Sequence, residues 1–283
     1  MPHASHASPS PHDFHDQTEL LDLDADVLAG HTASLVAWLP VPTPPRHIVD
    51  LGCGTGAGTF ALLARFPEAE VTAVDASAAH LDRLRERARA LGLADRVRTV
   101  AADLDANWPG LGRPALVWAS ASLHHLADPG RTLRAVHGLL APGGLFAVVE
   151  TAGFPRFLPA DAPRDRPGLE DRCHAALAHH HAERLPHRGA DWGPLLAAAG
   201  FTVEDDRTIT ARVDGSAGSG GEAVGRYALS ALGRLRAAAA HVLGAEDLGA
   251  LDRLLDTGGP GSILHRDDLA VRTERTVWAA RRA

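Results

Sequence analysis

The spacing of apolar positions changes several times along the chain, and each change marks an element. From Gln17 to Leu39 apolar residues recur at helical intervals and stop at the proline-rich stretch Pro40–Pro45, which reads as one or two helices ahead of the main domain. Short apolar runs then alternate with amphipathic stretches. His47–Leu51, Val71–Val74, Val97–Ala101, Ala115–Trp118 and Leu145–Val149 read as strands. Thr59–Phe66, Ala78–Leu91 and Pro129–Leu140 read as helices. In the second of these, Leu81, Leu84, Ala88 and Leu91 share one face and Gly92 closes the helix. Asp128, just before Pro129, reads as a helix N-cap.

Past Glu150 the pattern is less regular. Helices are expected at Gly168–Leu185, from Asp191 as cap to Gly200, and at about Glu222–Leu243 and Glu246–Leu255. Phe201–Val213 and Arg272–Ala280 have strand character, and Gly215–Gly221 reads as a flexible link. Trp118, Trp192 and Trp278 fall inside elements and are expected in the core.

Alternating β and α elements with near-continuous apolar strands imply an α/β fold, a mostly parallel sheet covered on both faces. The expected architecture is a doubly wound, Rossmann-like, seven-stranded sheet with a helical N-terminal extension and helical insertions as a cover. The expected division is a disordered tail at 1–16 and a helical segment at 17–45. A core at 46–150 and a helical lid at 151–200 follow, and the last two strands with their helical insertion occupy 201–283. Ligands of such sheets bind beyond the carboxyl ends of the strands. Asp50, Asp75, Asp103, Ser120 and Glu150 all fall on that rim.

Composition narrows the function. The net charge is -7 over 283 residues, which disfavours a nucleic-acid partner, and all 28 basic residues are arginine. Cys53 and Cys173 are the only cysteines, so a disulfide framework is not expected and a reducing cytoplasm fits. No apolar run has the length of a membrane span, and Met1–His12 lacks the apolar core of a secretion signal.

The strongest local signal is Val49-Asp-Leu-Gly-Cys-Gly-Thr-Gly56, between a strand and a helix. Gly52, Gly54 and Gly56 allow a tight turn and close approach to a ligand. Asp50 stands directly before them, where it would repel a pyrophosphate and suit a ligand carrying an ammonium and a sulfonium. Asp75 ends the next strand and can accept both hydroxyls of a ribose. Asp103 ends the third and can accept an adenine amino group. One rim carboxylate per strand describes a nucleoside site without phosphate.

With these motifs the chain resembles the class I S-adenosylmethionine-dependent methyltransferases over roughly residues 46 to 150. The resemblance rests on Val49–Gly56, Asp75 after Val71–Val74, Ala102-Asp103-Leu104, Ser120–Leu126 and Leu140-Ala-Pro-Gly-Gly144. It implies S-adenosyl-L-methionine as cofactor, with Asp50, Gly52, Gly54 and Gly56 at its methionine part and Cys53 within that loop. Asp75, with Ala76 beside it, would hold the ribose, Asp103 and Leu104 the adenine edge, and Ser120 would lie next to the cofactor. Phe201–Val213 and Arg272–Ala280 would form the family's final antiparallel hairpin around a long helical insertion.

Methyl transfer is an in-line displacement in which the protein aligns the partners, excludes water and, where needed, removes a proton. His124 and His125 follow the fourth strand; His124 is expected to point at the acceptor and His125 to support the cofactor loop. Glu150 is a further candidate for the acceptor or a cation. A divalent cation that orients the acceptor is an open alternative, its ligands unknown apart from His124 as first candidate. Arg156, Arg164, Arg166, Arg172, Arg184 and Arg188 are candidates to clamp an anion.

The expected activity is methylation of a small molecule, foremost O-methylation of a hydroxyl or carboxylate in bacterial secondary metabolism. N- or C-methylation and a non-catalytic cofactor-binding homologue are the alternatives. A nicotinamide-dependent oxidoreductase is opposed by Asp50 and the Pro-Gly-Gly turn. No nucleic acid or membrane partner is expected, and a homodimer is left open.

Overall fold

The computed structural model describes residues 11–215 and 219–283. The first ten residues, most of the stretch expected as a disordered tail, lie outside the described residues, as do 216–218 of the expected Gly/Ser link.

One seven-stranded sheet organises the chain, in the order β3-β2-β1-β4-β5-β7-β6. The strands are β1 His47–Leu51, β2 Glu70–Asp75, β3 Val97–Ala101, β4 Leu116–Ser120, β5 Leu145–Thr151, β6 Thr202–Asp214 and β7 Ala270–Arg281. The first five are mutually parallel; β7 runs antiparallel to both β5 and β6. The strand order reverses at β1, between β2 and β4, so a crevice opens at their carboxyl ends.

The helices are α1 Pro11–Val27, α2 Ala29–Trp38, α3 Ala57–Arg65, α4 Ala78–Ala90, α5 Pro129–Leu139, α6 Leu169–Arg184, α7 Gly193–Ala198, α8 Ser219–Ala238 and α9 Ala245–Leu255. The first of them opens at Pro11, ahead of the expected Gln17. Asp128 caps α5, accepting the Arg131 amide at 2.9 Å, with Pro129 in the first turn. The short α7 departs from expectation: Trp192 holds the cap position, and Asp191 lies one residue earlier, where it accepts the Gly193 amide at 3.0 Å.

Strand alternation divides the core into two layers. Ile48, Val71, Leu116, Trp118, Ala147 and Val149 pack against α2 and α3 on one face. On the other, Val49, Leu51, Val117, Phe146 and Val148 meet α5 and α7. Trp118, Trp192 and Trp278 are all buried.

The cover has a core of its own, in which Leu23 and Leu28 from the N-terminal segment join residues of α6, α8 and α9, among them Leu177, Tyr227, Leu232 and Leu251. The N-terminal helix therefore belongs to the cover, although 191 residues lie between it and α8. β6 is, with β3, one of the sheet's two edge strands. Its exposed run Glu204-Asp-Asp-Arg207, with a register shift between Val203 and Asp205, discourages pairing with another chain.

Candidate functional site

The glycine loop leaves β1 and enters α3. Gly52, Gly54 and Gly56 have φ of 66°, 53° and 99°. A side chain at Gly52 would strike Ser122, with 2.3 Å between β-carbons, so this glycine lets the loop after β4 close onto the loop after β1. Above Gly54 lies Leu21 of α1. Cys53 is buried, and burial pushes its thiol well above the usual range.

Asp50 is 2% exposed and accepts a 2.6 Å hydrogen bond from the Thr59 hydroxyl beneath α3. Desolvation pushes its carboxyl up to about 7, against the Thr59 hydrogen bond and with the Asp75 charge adding to it. The folded state therefore binds more protons than the unfolded state between about pH 4 and 7, so this site lowers stability as pH rises through that window. Asp50→Asn keeps an acceptor for Thr59 and removes the charge. It is expected to melt above wild type at pH 8, with the gain shrinking toward pH 5. Equal melting temperatures at both values would refute the account.

Asp75, at the end of β2, is built into the loop. Its Oδ2 accepts the Gly54 amide at 2.9 Å, and its Oδ1 accepts the Ser77 amide at 2.8 Å and faces His80 Nδ1 at 3.3 Å. Burial would raise this carboxyl, but the hydrogen bonds from His80, Ser77 and Gly54 outweigh it and hold the group below the ordinary carboxylate range. With two donors already on Oδ1, Oδ2 retains the open lone pair. A second ribose hydroxyl would need His80 to turn aside. His80 carried no signal in the sequence; one turn into α4 it is buried, with Nε2 lacking a partner.

Ala76 beside Asp75 is exposed. Asp103 is also exposed; its Oδ1 accepts the Asp105 amide at 2.9 Å, which leaves Oδ2 to accept from a ligand. Leu104 packs on the core beneath. Ser120, half-buried, ends β4. Asp75, Asp103 and Ser120 thus lie at the carboxyl edge of the sheet around the reversal in strand order, where their oxygens could accept from the hydroxyl and amino groups of a nucleoside.

Past Ser120 the chain turns at Ala121, whose φ of 49° is the sole positive value at a non-glycine residue among those described. The turn directs the next amides at Glu150. Glu150 is 2% exposed, and its Oε1 accepts from Ser122 and Leu123 at 3.2 and 2.8 Å, while Oε2 lies 2.5 Å from His124 Nδ1. The other ring nitrogen of His124 lies 3.0 Å from Arg188 Nη2. A carboxylate can only accept and a guanidinium can only donate, so His124 carries its hydrogen on Nδ1 and accepts at Nε2.

This corrects the sequence reading of the pair. His124 is 2% exposed with both nitrogens engaged, so it does not point freely at an acceptor. His125 is the exposed member, 4.2 Å from His124 between ring centroids. Desolvation, followed by the charges of the neighbouring His124 and Arg188, lowers the His125 pKa to about 4. Glu150 likewise spends its oxygens on the loop. A cation does not fit here: His124 Nε2 already faces a guanidinium, which would repel it. Among the described residues no group of three or more His, Cys, Asp or Glu side chains is arranged to hold a metal.

Beside the rim lies a cavity of about 830 Å³ between α1, α6 and α8, lined by Leu20, Phe154, His174, His181, Arg226 and Tyr227 among others. Leu20 lines it while its neighbour Leu21 covers Gly54, so α1 borders both the cavity and the glycine loop. Its size is that of a small-molecule site. Among the described residues, no helix is long and apolar enough to cross a membrane.

Comparison with known proteins agrees with this geometry. Residues 49–146 match the family model described as a methyltransferase domain. A trans-aconitate 2-methyltransferase of Methylobacterium radiotolerans is 42% identical over 116 residues, 41% of this chain and 42% of that protein. The namesake from Variovorax paradoxus is 35% identical over 184 residues, 62% of this chain and 64% of that one. The matched stretch thus spans less than two thirds of either relative. In structure, a candidate methyltransferase of Bacillus halodurans aligns over 89% of this chain and 99% of its own at a TM-score of 0.55 and 16% identity, a likeness of fold. With its strand order, glycine loop and rim carboxylates, the chain carries over residues 49–146 a methyltransferase domain of the class I, S-adenosylmethionine-dependent type.

Proposed function

We propose that this chain methylates an oxygen of a small carboxylic acid, with S-adenosyl-L-methionine as methyl donor. When bound, the cofactor supplies an electrophilic methyl group on a sulfonium. Asp75 would hold the ribose, Asp103 the adenine amino group and the glycine loop the methionine part, which leaves Ser120 beside the sulfur. The acceptor would lie in the cavity between α1, α6 and α8.

The observation that carries the choice of acceptor is the want of a free base at the rim. His124 is tied at both nitrogens, Glu150 is buried with three donors on its carboxylate, and His125, with a pKa of about 4, takes up protons poorly at neutral pH. A hydroxyl or amine acceptor needs a proton removed. A carboxylate is already ionised at pH 7, so alignment and exclusion of water suffice. The printed names of the relatives, trans-aconitate 2-methyltransferases, support the same class.

The test is turnover of S-adenosylmethionine with a panel of acids, trans-aconitate among them, alongside matched alcohols and amines, with products read by mass spectrometry. Methyl esters should form, at a rate indifferent to a chelator. Products confined to ethers or methylamines would overturn the reading.

A further inference from the structure

We infer that Arg188 is the anchor for an anionic group of the acceptor other than the oxygen that is methylated, held in place by a relay from Glu150 through His124. The inference rests on the methyltransferase reading above and adds the substrate class: di- or tricarboxylates.

The arginines of the cover differ in how their charge is spent. Arg166 and Arg172 both go to Asp247, at 2.9 Å each, and Arg156 reaches Asp171 at 3.3 Å. Arg226, on the cavity wall, pairs with Glu19 at 3.3 Å. Arg164, Arg184 and the cavity-lining Arg234 are exposed and solvated. Arg188 alone among these is half-buried with no carboxylate within ion-pair distance among the described residues. Its surroundings cost it hydration: desolvation lowers its pKa, with the Glu150 charge acting the other way.

Its orientation is nonetheless fixed. One N–H goes to His124 Nε2, and the guanidinium lies 4.1 Å from the Phe154 ring centroid, a cation–π contact. Nε is buried and has no partner. With one of five donors used, the rest of the fork remains for a carboxylate. Phe154 is also the wall of the cavity and contacts His174 and His181, with centroids 5.6 and 4.5 Å away. His125 lies beside His124, with ring centroids 4.2 Å apart, so the histidine that Arg188 meets also borders the loop after β4. An anion on Arg188 would therefore sit beside Phe154, a residue of the cavity wall, and next to His124.

A guanidinium positioned by a neutral imidazole, itself positioned by a buried carboxylate, is arranged to receive a negative charge from outside the protein. An oxygen held in that fork has its lone pairs committed and makes a poor nucleophile. The methylated oxygen must then be a second one. Arg188 accordingly sets specificity, and His124 and Glu150 are positioning residues.

The experiment is calorimetry on the full chain saturated with S-adenosylhomocysteine, titrated with trans-aconitate, succinate and succinamate. Wild type should bind one or both polycarboxylates and prefer succinate over its half-amide roughly 10-fold or more. Arg188→Gln should lose roughly 30-fold or more in polycarboxylate affinity and lose the acid–amide preference, with S-adenosylhomocysteine affinity unchanged. Arg188→Lys should retain part of the preference, and His124→Phe should weaken the polycarboxylate several-fold at unchanged cofactor affinity. Failure to bind either polycarboxylate, or an Arg188→Gln variant that still distinguishes acid from amide, overturns the inference. Failure of S-adenosylhomocysteine to bind at all would instead sink the cofactor reading beneath it.

Discussion

Asp75→Ala is expected to weaken S-adenosylhomocysteine binding by at least about 100-fold, since a charge-assisted hydrogen bond contributes about 1.5–3 kcal/mol and the variant loses more than a ligand contact. The carboxylate also fixes the loop, because Gly54 donates its amide to Oδ2 and Ser77 its amide to Oδ1. With the carboxylate gone, both amides and His80 lose their acceptor and the glycine turn loosens just where the ligand must be approached. Asp75→Asn separates the two roles. It retains one acceptor oxygen for the loop but loses the charge that a hydroxyl donor would favour, so it should fall between wild type and alanine. Calorimetry with the demethylated product reads this directly. An affinity within threefold of wild type for Asp75→Ala would remove Asp75 from the ribose site.

The largest loss of stability is expected from a residue outside the catalytic rim. Arg275, on β7, is 7% exposed, and its guanidinium lies 3.1 and 3.0 Å from the two oxygens of Asp24 on α1. The Tyr227 hydroxyl donates to the same carboxylate at 2.7 Å from α8. Desolvation alone would lower the Arg275 pKa; the charge and hydrogen bond of Asp24, followed by Tyr227 and Glu150, raise it instead. Asp24→Ala would leave a buried cation without its counter-ion, a loss of about 3–5 kcal/mol. At ~2–4 °C per kcal/mol that lowers the melting temperature by roughly 10 °C. Replacing both partners, Asp24→Ala with Arg275→Met, should recover much of the loss, because the uncompensated charge goes with the arginine. Denaturant unfolding of the two variants decides it, and a loss below about 1 kcal/mol for Asp24→Ala would show that the pair does not hold the cover down.

Both residues bear on how a ligand reaches the site. Asp22, two residues before Asp24, pairs with Arg83 and Arg87 of α4 at 2.6 and 3.1 Å, so α1 is pinned to the cofactor side as well as to α8. The helix that covers Gly54 is therefore tied at Asp22 by pairs whose arginines are partly exposed and at Asp24 by one whose arginine is buried. Screening by salt falls mainly on the Arg83 pair, the most exposed of the three.

Much of the cofactor side was legible in the residues themselves. His47–Leu51 and Val97–Ala101 coincide with the strands, and the glycines of 52–56 take the positive φ their spacing implies. A strand end, a glycine turn and the acid after it are set by local periodicity and by steric limits within a few residues, and those are written in the order of the chain. The same holds for Asp128 as the cap of α5.

The acceptor side was not legible in that way. His124 and His125 are adjacent and alike in the sequence, yet one is buried between Glu150 and Arg188 and the other is exposed. Six cover arginines were equivalent candidates until packing gave Asp247 to two of them and Asp171 to another, and left Arg188 without a carboxylate. Arg188 lies 64 residues from His124, and Arg275 lies 251 from Asp24. The order of residues determined the strand ends and the glycine turn because these are made of local conformations. Which charges are compensated, and which one faces a ligand, was decided only by folding, because an ion pair depends on distance in space and on water excluded by distant parts of the chain.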